Sequence, residues 1–522
     1  MNRNNFLSAI SGRNFACDIL VIGGGATGLG VAVDAATRGF KTVLLEQSDF
    51  AKGTSSRSTK LVHGGVRYLA QGNVRLVIEA LRERGRMRRN APHLVKDMRF
   101  IIGNYKWWER PFYSVGLTLY DILAGKMGLG RSLPMSVKKV MKEIPGLKRM
   151  GLKGGVVYHD GQFDDARMAV SLAQTAADSG GICLNYMKVT GLEKDINGKI
   201  TGVKASDLLA DKEYSIKSKV VVNATGVFVD EIRCMDSPET KKMVRPSQGV
   251  HLVVDQKFLG GKSALMIPKT SDGRVLFGVP WHNKVVLGTT DTPLENPELE
   301  PHALEEEVDF ILDQAGQYLA DQPTRADVLS VFAGLRPLAA SDAGDNQKTK
   351  EISRSHKIYK TKSGLLTITG GKWTTYREMA EEVVNLATRI GALEQKKCVT
   401  ANLKLHGYAA KVDDSTWDYV YGSDAERIAE LIQEDKKNGD LLHQNYTFNV
   451  AHVLWAVKEE MAQTVEDVLA RRLRALFLDA RAAIEMAPEV ARIMAKELNY
   501  SEEWQQGQVK EFTELAGHYI VH

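Results

Sequence analysis

Two basic residues lie where the chain is locally fixed, and both could bind an anionic group. Arg336 follows Gly334 and precedes Pro337, and Lys372 follows the Gly370-Gly371 turn. An arginine on a surface turn is usually just solvated. A guanidinium held in one orientation can instead bind a phosphate or carboxylate through two parallel hydrogen bonds. We therefore predict that Arg336 and Lys372 bind an anionic substrate.

A glycine-rich turn near the N-terminus could bind the phosphates of a dinucleotide. Its sequence, GGGATG at Gly23–Gly28, fits the pattern G-x-G-x-x-G. Gly23 permits a sharp turn, Gly25 lets the backbone approach a pyrophosphate, and Gly28 permits close packing of helix and strand. The next helix would direct its free N–H groups at the phosphates. The predicted cofactor contacts in this turn are Gly23, Gly25, Ala26, Thr27 and Gly28.

The elements around this turn follow the order of a dinucleotide-binding βαβ unit. Asp18–Ile22 reads as a strand, a helical pattern ends at Gly39, and Lys41–Leu45 reads as a second buried strand. Glu46 closes it, 46 − 23 = 23 residues after Gly23 and near the ~20 expected for an acid that binds a ribose hydroxyl. Such an acid disfavours NADP, but NAD and FAD both stay open at this point.

Two later segments favour FAD. Val220–Gly226, VVNATG with its preceding valine, reads as a buried strand that ends in a turn of small residues, where a dinucleotide would cross the sheet edge. Leu365–Arg377 repeats the order of strand, glycine turn and helix. A second helix N-terminus beside the cofactor would stabilise negative charge on a reduced flavin.

The rest of the chain divides by pattern. Short β-prone runs between Val244 and Thr292, without intervening helices, predict an antiparallel substrate-binding sheet that carries His251 on its first strand. A sheet histidine is ordinarily structural. Tyr158–Asp165 reads as a polar turn, and the chain beyond Ala392 reads as helical, with a helix from Thr464 through Phe477 and another that starts at Pro488.

We therefore predict an α/β fold. It comprises a Rossmann-like FAD-binding domain, an antiparallel β-sheet substrate domain, as in two-domain FAD oxidoreductases of the glutathione-reductase and amino-acid-oxidase type, and a C-terminal all-α domain. The predicted boundaries are 15–100, 150–235 and 345–392 for the FAD-binding domain, 101–149 and 236–344 for the substrate domain, and 393–522 for the helical domain.

Composition excludes several classes of protein. Over 522 residues the net charge is +5, too small to argue for nucleic acid binding, although it permits an anionic substrate or surface. The four cysteines show no C-x-x-C spacing, which argues against a disulfide framework or a zinc site, and we predict no metal. We see no signal peptide and no apolar run of the ~20 residues that span a bilayer, and expect an intracellular chain.

One segment has the composition of a membrane interface. Tyr105–Tyr113 places Trp107, Trp108 and Phe112 beside basic residues, and the weakly charged Val115–Leu123 follows. Aromatic side chains at headgroup depth with basic residues facing anionic lipid would explain it. A helical excursion buried on the protein is the alternative.

Four further motifs are TSS at Thr54–Ser56, KLVHGGVRYL at Lys60–Leu69, EALRER at Glu79–Arg84 and NAPHL at Asn90–Leu94. Together they resemble the FAD-dependent glycerol-3-phosphate dehydrogenases of the aerobic, respiratory type. GGKWTTYR at Gly370–Arg377 also follows the family pattern, with Trp373 where a smaller residue is common. The resemblance extends from about Cys17 to Trp504.

The resemblance implies a function and further site residues. The family oxidises sn-glycerol-3-phosphate to dihydroxyacetone phosphate with FAD and passes the electrons to a membrane quinone. The chain is then expected in the cytoplasm, peripherally bound to the cytoplasmic membrane face; a homodimer is an open alternative. Substrate-binding residues would be Arg67, Arg336 and Lys372, and catalytic residues Arg336, His63, His251 and Tyr68. The implied FAD contacts beyond the glycine turn are Glu46, Thr54, Ser55, Ser56, Lys60, His63, Gly64, Gly371, Lys372 and Thr374.

Several alternatives stay open from the sequence. The resemblance places Arg336 and His251 nearest the flavin N5 and the reacting carbon. His63 and Tyr68 are candidate proton acceptors or orienting groups, and the sequence does not decide which residue is the general base. The acceptor could be oxygen rather than quinone, which would make the protein a glycerol-3-phosphate oxidase. An amine or amino-acid oxidase of the same superfamily, or a non-catalytic nucleotide-binding module, would also carry the glycine turn.

Overall fold

The computed structural model describes residues 1–12, 15–70, 72–339 and 356–522, with the side chains of Arg67, Ala70 and Ala339 outside the description. The predicted domain boundary at 344/345 lies outside the described residues.

The β-strands of the described residues form two sheets. In chain order they are β1 Ala16–Ile22, β2 Thr42–Leu45, β3 Leu61–Val62, β4 Val95–Asn104, β5 Leu133–Met135, β6 Gly154–Phe163, β7 Ile182–Leu184, β8 Met187–Lys194, β9 Ile200–Asp207, β10 Lys212–Asn223, β11 Val244–Asp255, β12 Ala264–Ile267, β13 Leu276–Trp281, β14 Lys284–Gly288, β15 Thr292–Pro293, β16 Val328–Ala339, β17 Lys357–Lys360 and β18 Leu366–Thr369.

The α-helices of the same ranges cover both sheets and form most of the C-terminal region. In chain order they are α1 Arg3–Ile10, α2 Ala26–Thr37, α3 Val66–Ala70, α4 Val74–Asn90, α5 Glu109–Ala124, α6 Val137–Glu143, α7 Asp165–Asp178, α8 Val229–Asp236, α9 Glu305–Gly316, α10 Tyr376–Ile390, α11 Ala425–Glu434, α12 Val450–Lys458, α13 Ala475–Leu478, α14 Ala480–Leu498 and α15 Glu502–Gly517.

The first sheet is the predicted dinucleotide-binding sheet. Its order is β17-β18-β10-β1-β2-β7, and the contacts from β18 through β7 are parallel. The central strand β1 is buried along most of its length, as expected of a parallel sheet covered on both faces. Because β1, β2, β10 and β18 are parallel, their carboxyl ends lie at one edge, where the turns that follow them come together.

The second sheet is largely antiparallel. Its strands β5 and β11 to β16 lie within the range predicted for the substrate domain, whereas β3, β6 and most of β4 lie in ranges assigned to the FAD-binding domain. Its main order is β15-β11-β14-β13-β12-β4-β6-β3, with β16 on β11 and β5 on β6. The long antiparallel pair of β11 and β16 sets Ser247 opposite Arg336, Gly249 opposite Gly334, and His251 opposite Phe332. Since alternate residues of a strand share a face, this register puts His251 and Arg336 on the same face of the sheet.

Three expectations from the sequence are wrong. Tyr158–Phe163 is not a turn but the end of β6, which pairs with β4 in the second sheet, so the return to the first sheet comes at α7. Pro488 lies inside α14 rather than at a helix start. The helix expected from Thr464 through Phe477 is interrupted by a π-helical turn at Asp467–Arg472 and by left-handed backbone at Arg474.

Buried ion pairs lie at this interruption. Two consecutive arginines of the π-helical turn, Arg471 and Arg472, contact Asp49, which follows β2 by four residues. Within the described ranges, no helix is both long and apolar enough to span a bilayer.

Candidate active site

The glycine turn lies between the end of β1 and the start of α2, as predicted. A Cβ on Gly28 would lie 1.9 Å from the backbone oxygen of Gly23, so only glycine allows this approach of helix to strand. The Ala26 N–H donates to Ser55 Oγ (2.9 Å), which links the turn to the hydroxyl-rich loop that follows β2. The N-terminus of α2 opens into a cleft, where it can bind negative charge.

Glu46 lies at the end of β2, at the edge where a ribose would sit. Its carboxylate accepts hydrogen bonds from the Gly24 N–H (2.5 Å) and the Ser48 N–H (2.9 Å). Burial raises the pKa of this carboxyl, with the two backbone donors opposing the shift. The side chain is therefore oriented by the backbone on both sides.

An elongated cleft begins at these residues. It runs along the carboxyl edge of the first sheet, from Glu46 and Lys188 past the glycine turn to Gly371 and Trp373. Predicted cofactor residues that line it are Gly23, Gly25, Ala26, Thr27, Glu46, Thr54, Ser55, Gly371 and Lys372. The glycine turn, the free helix N-terminus and the carboxylate together fit FAD.

A second cleft adjoins the first. The two share a wall formed by Thr54, Pro337, Gly370, Gly371, Lys372 and Trp373. The second cleft adds the predicted substrate-handling residues His63, Tyr68, His251 and Arg336, together with Thr374, which was predicted to contact FAD. A small substrate here would contact the end of a dinucleotide bound in the first cleft.

Arg336 is held rigidly at the floor of the second cleft. Nη1 donates to Gln248 O (3.1 Å) and Asp291 Oδ1 (3.2 Å), and Nη2 donates to Thr289 Oγ1 (3.2 Å) and Thr290 O (3.0 Å). A Cβ on Gly249, its neighbour across the strands, would lie 2.2 Å from Nη2. The glycine is therefore required for the guanidinium to lie flat on the sheet.

His251 lies beside Arg336 and is almost fully enclosed, with 3% of its surface exposed. Its ring stacks on Phe332 at 4.9 Å, and Nε2 is 2.9 Å from Thr59 Oγ1. Burial, followed by the positive charges of Lys60 and Arg336, lowers the pKa of His251 well below its usual value. These surroundings favour the neutral form of the imidazole.

Lys372 and Tyr68 also line the second cleft. The Lys372 ammonium lies 3.9 Å from the centroid of the Tyr68 ring, a cation–π contact that places the positive charge beside the cleft. The backbone N–H of His63 donates to Thr374 Oγ1 (3.3 Å), which ties the His63 turn to the start of α10.

Four predicted cofactor residues line neither cleft: Gly28, Ser56, Lys60 and Gly64. Lys60 is the clearest departure, because its fully buried ammonium donates to Asp165 (2.8 Å) and to Ser56 O (2.7 Å). Burial lowers its pKa to about 7, opposed by Asp165. Lys60 thus anchors the loop from behind. The side chain of Arg67 lies outside the described part.

The structure adds cleft residues that the sequence did not single out. Trp373 lines both clefts and donates from Nε1 to Ser55 O (2.9 Å), while Thr225 and Lys188 line the first cleft. Thr59 and Asp291 contact His251 and Arg336 directly. Thr225 lies in the VVNATG turn, which the sequence indicated without showing which of its residues would line the cleft. Thr59 and Asp291 gave no signal in the sequence, because the residues they contact are distant along the chain.

Comparison with known proteins decides the family. The family of FAD dependent oxidoreductases matches residues 18–377, and the C-terminal domain of alpha-glycerophosphate oxidase matches residues 366–505. A probable mitochondrial glycerol-3-phosphate dehydrogenase of Caenorhabditis elegans is 40% identical over 97% of this chain and 74% of its own length. The human mitochondrial glycerol-3-phosphate dehydrogenase is 39% identical over 94% of this chain and 72% of its own.

This chain belongs to the FAD-dependent glycerol-3-phosphate dehydrogenase family. A solved structure agrees: the glycerol-3-phosphate dehydrogenase of Bacillus halodurans, complexed with FAD, superposes with a TM-score of 0.81 at 31% identity, covering 99% of this chain and 97% of that one. Family membership confirms the predicted resemblance, the fold class and the choice of FAD over NAD. FAD is the cofactor that the first cleft would hold, through the glycine turn, Glu46 and the Gly371 turn.

Proposed function

We propose that this protein oxidises sn-glycerol-3-phosphate to dihydroxyacetone phosphate. The observation that carries the proposal is the register of β11 and β16, which puts His251 beside the fixed Arg336 in a cleft that shares a wall with the dinucleotide cleft. FAD, when bound, supplies the acceptor for the hydride of the carbinol carbon. The names of the relatives support this substrate.

The chain's own residues would bind and deprotonate the substrate. Arg336 and Lys372 supply positive charge for the phosphate, and the Arg336 guanidinium is held in place by Asp291 and two backbone carbonyls. A carboxylate could be held by one arginine, whereas two cations suit a dianionic phosphate better. From its position in the cleft next to Arg336, we propose His251 as the proton acceptor, and His63 is the alternative.

Product analysis tests the proposal. The purified FAD-loaded protein, given glycerol-3-phosphate and a soluble quinone analogue, is expected to form one dihydroxyacetone phosphate for each quinone reduced. Glycerol and glycine serve as controls, because they lack the phosphate. Turnover of glycine but not of glycerol-3-phosphate would assign the chain to the amino-acid oxidases instead.

We also infer that the electrons pass to a membrane quinone from a surface that lies on the bilayer. On α5 the exposed apolar residues Phe112, Val115, Leu119 and Ile122 follow helical spacing, and Val115 and Ile122 are 74% and 69% exposed. Trp107, 78% exposed, precedes this face. A contiguous exposed apolar face of this kind supports peripheral membrane contact, with the cytoplasmic leaflet as the expected side. A homodimer stays a prediction.

Oxygen is the second candidate acceptor. Residues 366–505 match a domain named after alpha-glycerophosphate oxidase. After anaerobic reduction by substrate, reoxidation by oxygen and by a quinone analogue can be timed separately. Faster reoxidation by quinone is expected, and rapid reaction with oxygen without any quinone reaction would make the protein an oxidase.

A further inference from the structure

Thr59 lies between the second cleft and His251. It belongs to the loop that leads into β3, its side chain is half-buried, and it lines the cleft. Thr59 Oγ1 is 2.9 Å from His251 Nε2, a hydrogen-bond distance across 192 positions of sequence. One hydroxyl therefore contacts both the cleft and the imidazole.

The imidazole has little other access to the cleft. Only 3% of the His251 surface is exposed, and Phe332 covers one face of the ring. Nδ1 is buried, and among the described residues it has no hydrogen-bond partner. A proton that moves between the cleft and His251 would therefore pass through Nε2, where the Thr59 hydroxyl lies.

The loop on both sides of Thr59 is fixed by one buried carboxylate. Asp165 accepts from the Ser58 N–H (2.9 Å) and hydroxyl (2.7 Å) and from the Lys60 ammonium (2.8 Å). Arg474, which comes from the C-terminal helical region, donates to the same carboxylate (2.9 Å). Because both neighbours of Thr59 are anchored, its hydroxyl is held at a defined distance from the imidazole.

We propose that Thr59 is a catalytic residue that relays the proton of the substrate hydroxyl to His251. This inference rests on the proposed function, since it needs a carbinol substrate. In the step the substrate O–H bond breaks and its proton passes to Thr59 Oγ1, while the proton of Thr59 passes to His251 Nε2. FAD, when bound, would accept the hydride from the carbon that bears this hydroxyl. The alcohol would then lose one proton and one hydride.

Two conservative substitutions of Thr59 test the relay. Thr59→Val removes the hydroxyl and keeps the shape, and Thr59→Ser keeps the hydroxyl. In the FAD-loaded protein, Thr59→Val is expected to slow anaerobic flavin reduction by glycerol-3-phosphate at least ~100-fold, the usual size of a general-base contribution. Thr59→Ser should stay within about threefold of wild type, as should the control Thr201→Val on the exposed part of β9. If Thr59→Val does not fold, Thr59→Ala carries the same expectation.

Nuclear magnetic resonance gives a readout that does not depend on activity. The protein is labelled with ¹⁵N-histidine, and it contains twelve histidines. The resonances of His251 are assigned as those that disappear in His251→Gln. Its Nε2 resonance is expected to move in Thr59→Val and to stay in place in Thr59→Ser.

Three outcomes overturn the inference and are distinguishable. A wild-type protein reduced by glycerol-3-phosphate, with Thr59→Val equally fast, refutes the relay and leaves the proposed function intact. An unmoved His251 resonance in Thr59→Val refutes the hydrogen bond. A wild-type flavin that glycerol-3-phosphate does not reduce refutes both proposals.

Discussion

Arg336 shows how a side chain can be predicted from its neighbours in sequence and still depend on distant ones. Gly334 and Pro337 marked it as locally fixed, but its orientation comes from Asp291 and from the carbonyls of Gln248 and Thr290. Thr59 and Asp291 were missed for this reason: their partners lie 192 and 45 positions away. Lys60 lines neither cleft, which the sequence could not show because a motif gives the residue without the direction of its side chain.

Replacing Arg336 with alanine is expected to weaken substrate binding. Loss of hydrogen bonds between a guanidinium and a phosphate should cost about 1.5–3 kcal/mol, roughly a tenfold to hundredfold rise in the apparent dissociation constant of glycerol-3-phosphate. Titration of the flavin absorbance measures it. Arg492→Ala, on the exposed face of α14, is the matched control and should bind normally. Unchanged affinity in Arg336→Ala would remove this residue from the phosphate site.

The glycine turn gives a second prediction for single residues. In Gly28→Ala the new methyl group would meet the Gly23 carbonyl at 1.9 Å, so α2 must move away from β1 and from the phosphates. We expect at least a tenfold loss of FAD affinity, measured by flavin fluorescence on refilling the apoprotein. Gly507→Ala on α15, where the added Cβ meets no atom within 4 Å, is the control. Equal affinity in both variants would contradict the role of the turn.

At the scale of elements, the strands and helices with a clear period were predictable, and the irregular ones were not. The βαβ unit and β11 lie where the pattern put them. The apolar residues around Asp467–Arg472 are spaced as in an ordinary helix, so the spacing did not predict the π-helical turn. The ion pairs of this turn are with Asp49, which is distant in sequence. Pro488 inside α14 likewise shows packing prevailing over local propensity.

The exposed apolar face of α5 predicts that charged substitutions on this helix weaken membrane binding. The double variant Val115→Glu/Ile122→Glu adds two charges to the face proposed to contact lipid, so binding to anionic vesicles should fall at least tenfold. Co-sedimentation measures it, and turnover with a soluble acceptor should stay within twofold of wild type.

The control is a single apolar residue exposed elsewhere. Ile196, 101% exposed in the turn between β8 and β9, can be changed to glutamate without touching α5. Equal vesicle binding by wild type and the double variant would show that α5 is not the contact.

At the scale of the whole molecule, buried ion pairs connect the C-terminal helical region to residues next to the first sheet. Asp49, Arg471 and Arg472 form one such set, and Asp165 with Arg474 forms another behind the Thr59 loop. Removing one partner of a buried pair leaves an uncompensated charge, which is why such contacts fix a relative position strongly. The sequence predicted a C-terminal bundle but gave no role for it, because its contacts with the sheet are between side chains far apart in the chain.

A further, partly exposed contact of the C-terminal helical region should make the stability of the protein depend on pH. His406 lies between Asp178 at the end of α7 and Asp424 in the C-terminal region, at 2.6 and 2.9 Å. Although burial opposes it, the two carboxylates raise the pKa of His406 to about 9. A raised pKa means that this stabilisation is complete below the ordinary value near 6.5 and is lost as pH rises through about 9.

Urea unfolding between pH 6 and pH 10 measures the effect. The midpoint for wild type should exceed that of His406→Gln at pH 6, and the two should converge by pH 10. Asp424→Asn, which removes one carboxylate, should move the convergence to lower pH. A difference that is the same at both ends of the range would contradict a charged His406.

The most direct test of the central claim is anaerobic reduction of the bound flavin. Addition of sn-glycerol-3-phosphate to the purified, FAD-loaded protein without oxygen is expected to bleach the flavin absorbance fully, and glycerol at the same concentration is expected to leave it unchanged. This outcome requires that the two clefts share one reaction, with the phosphate bound and the carbinol carbon at the flavin. A flavin that stays oxidised with glycerol-3-phosphate would contradict the account.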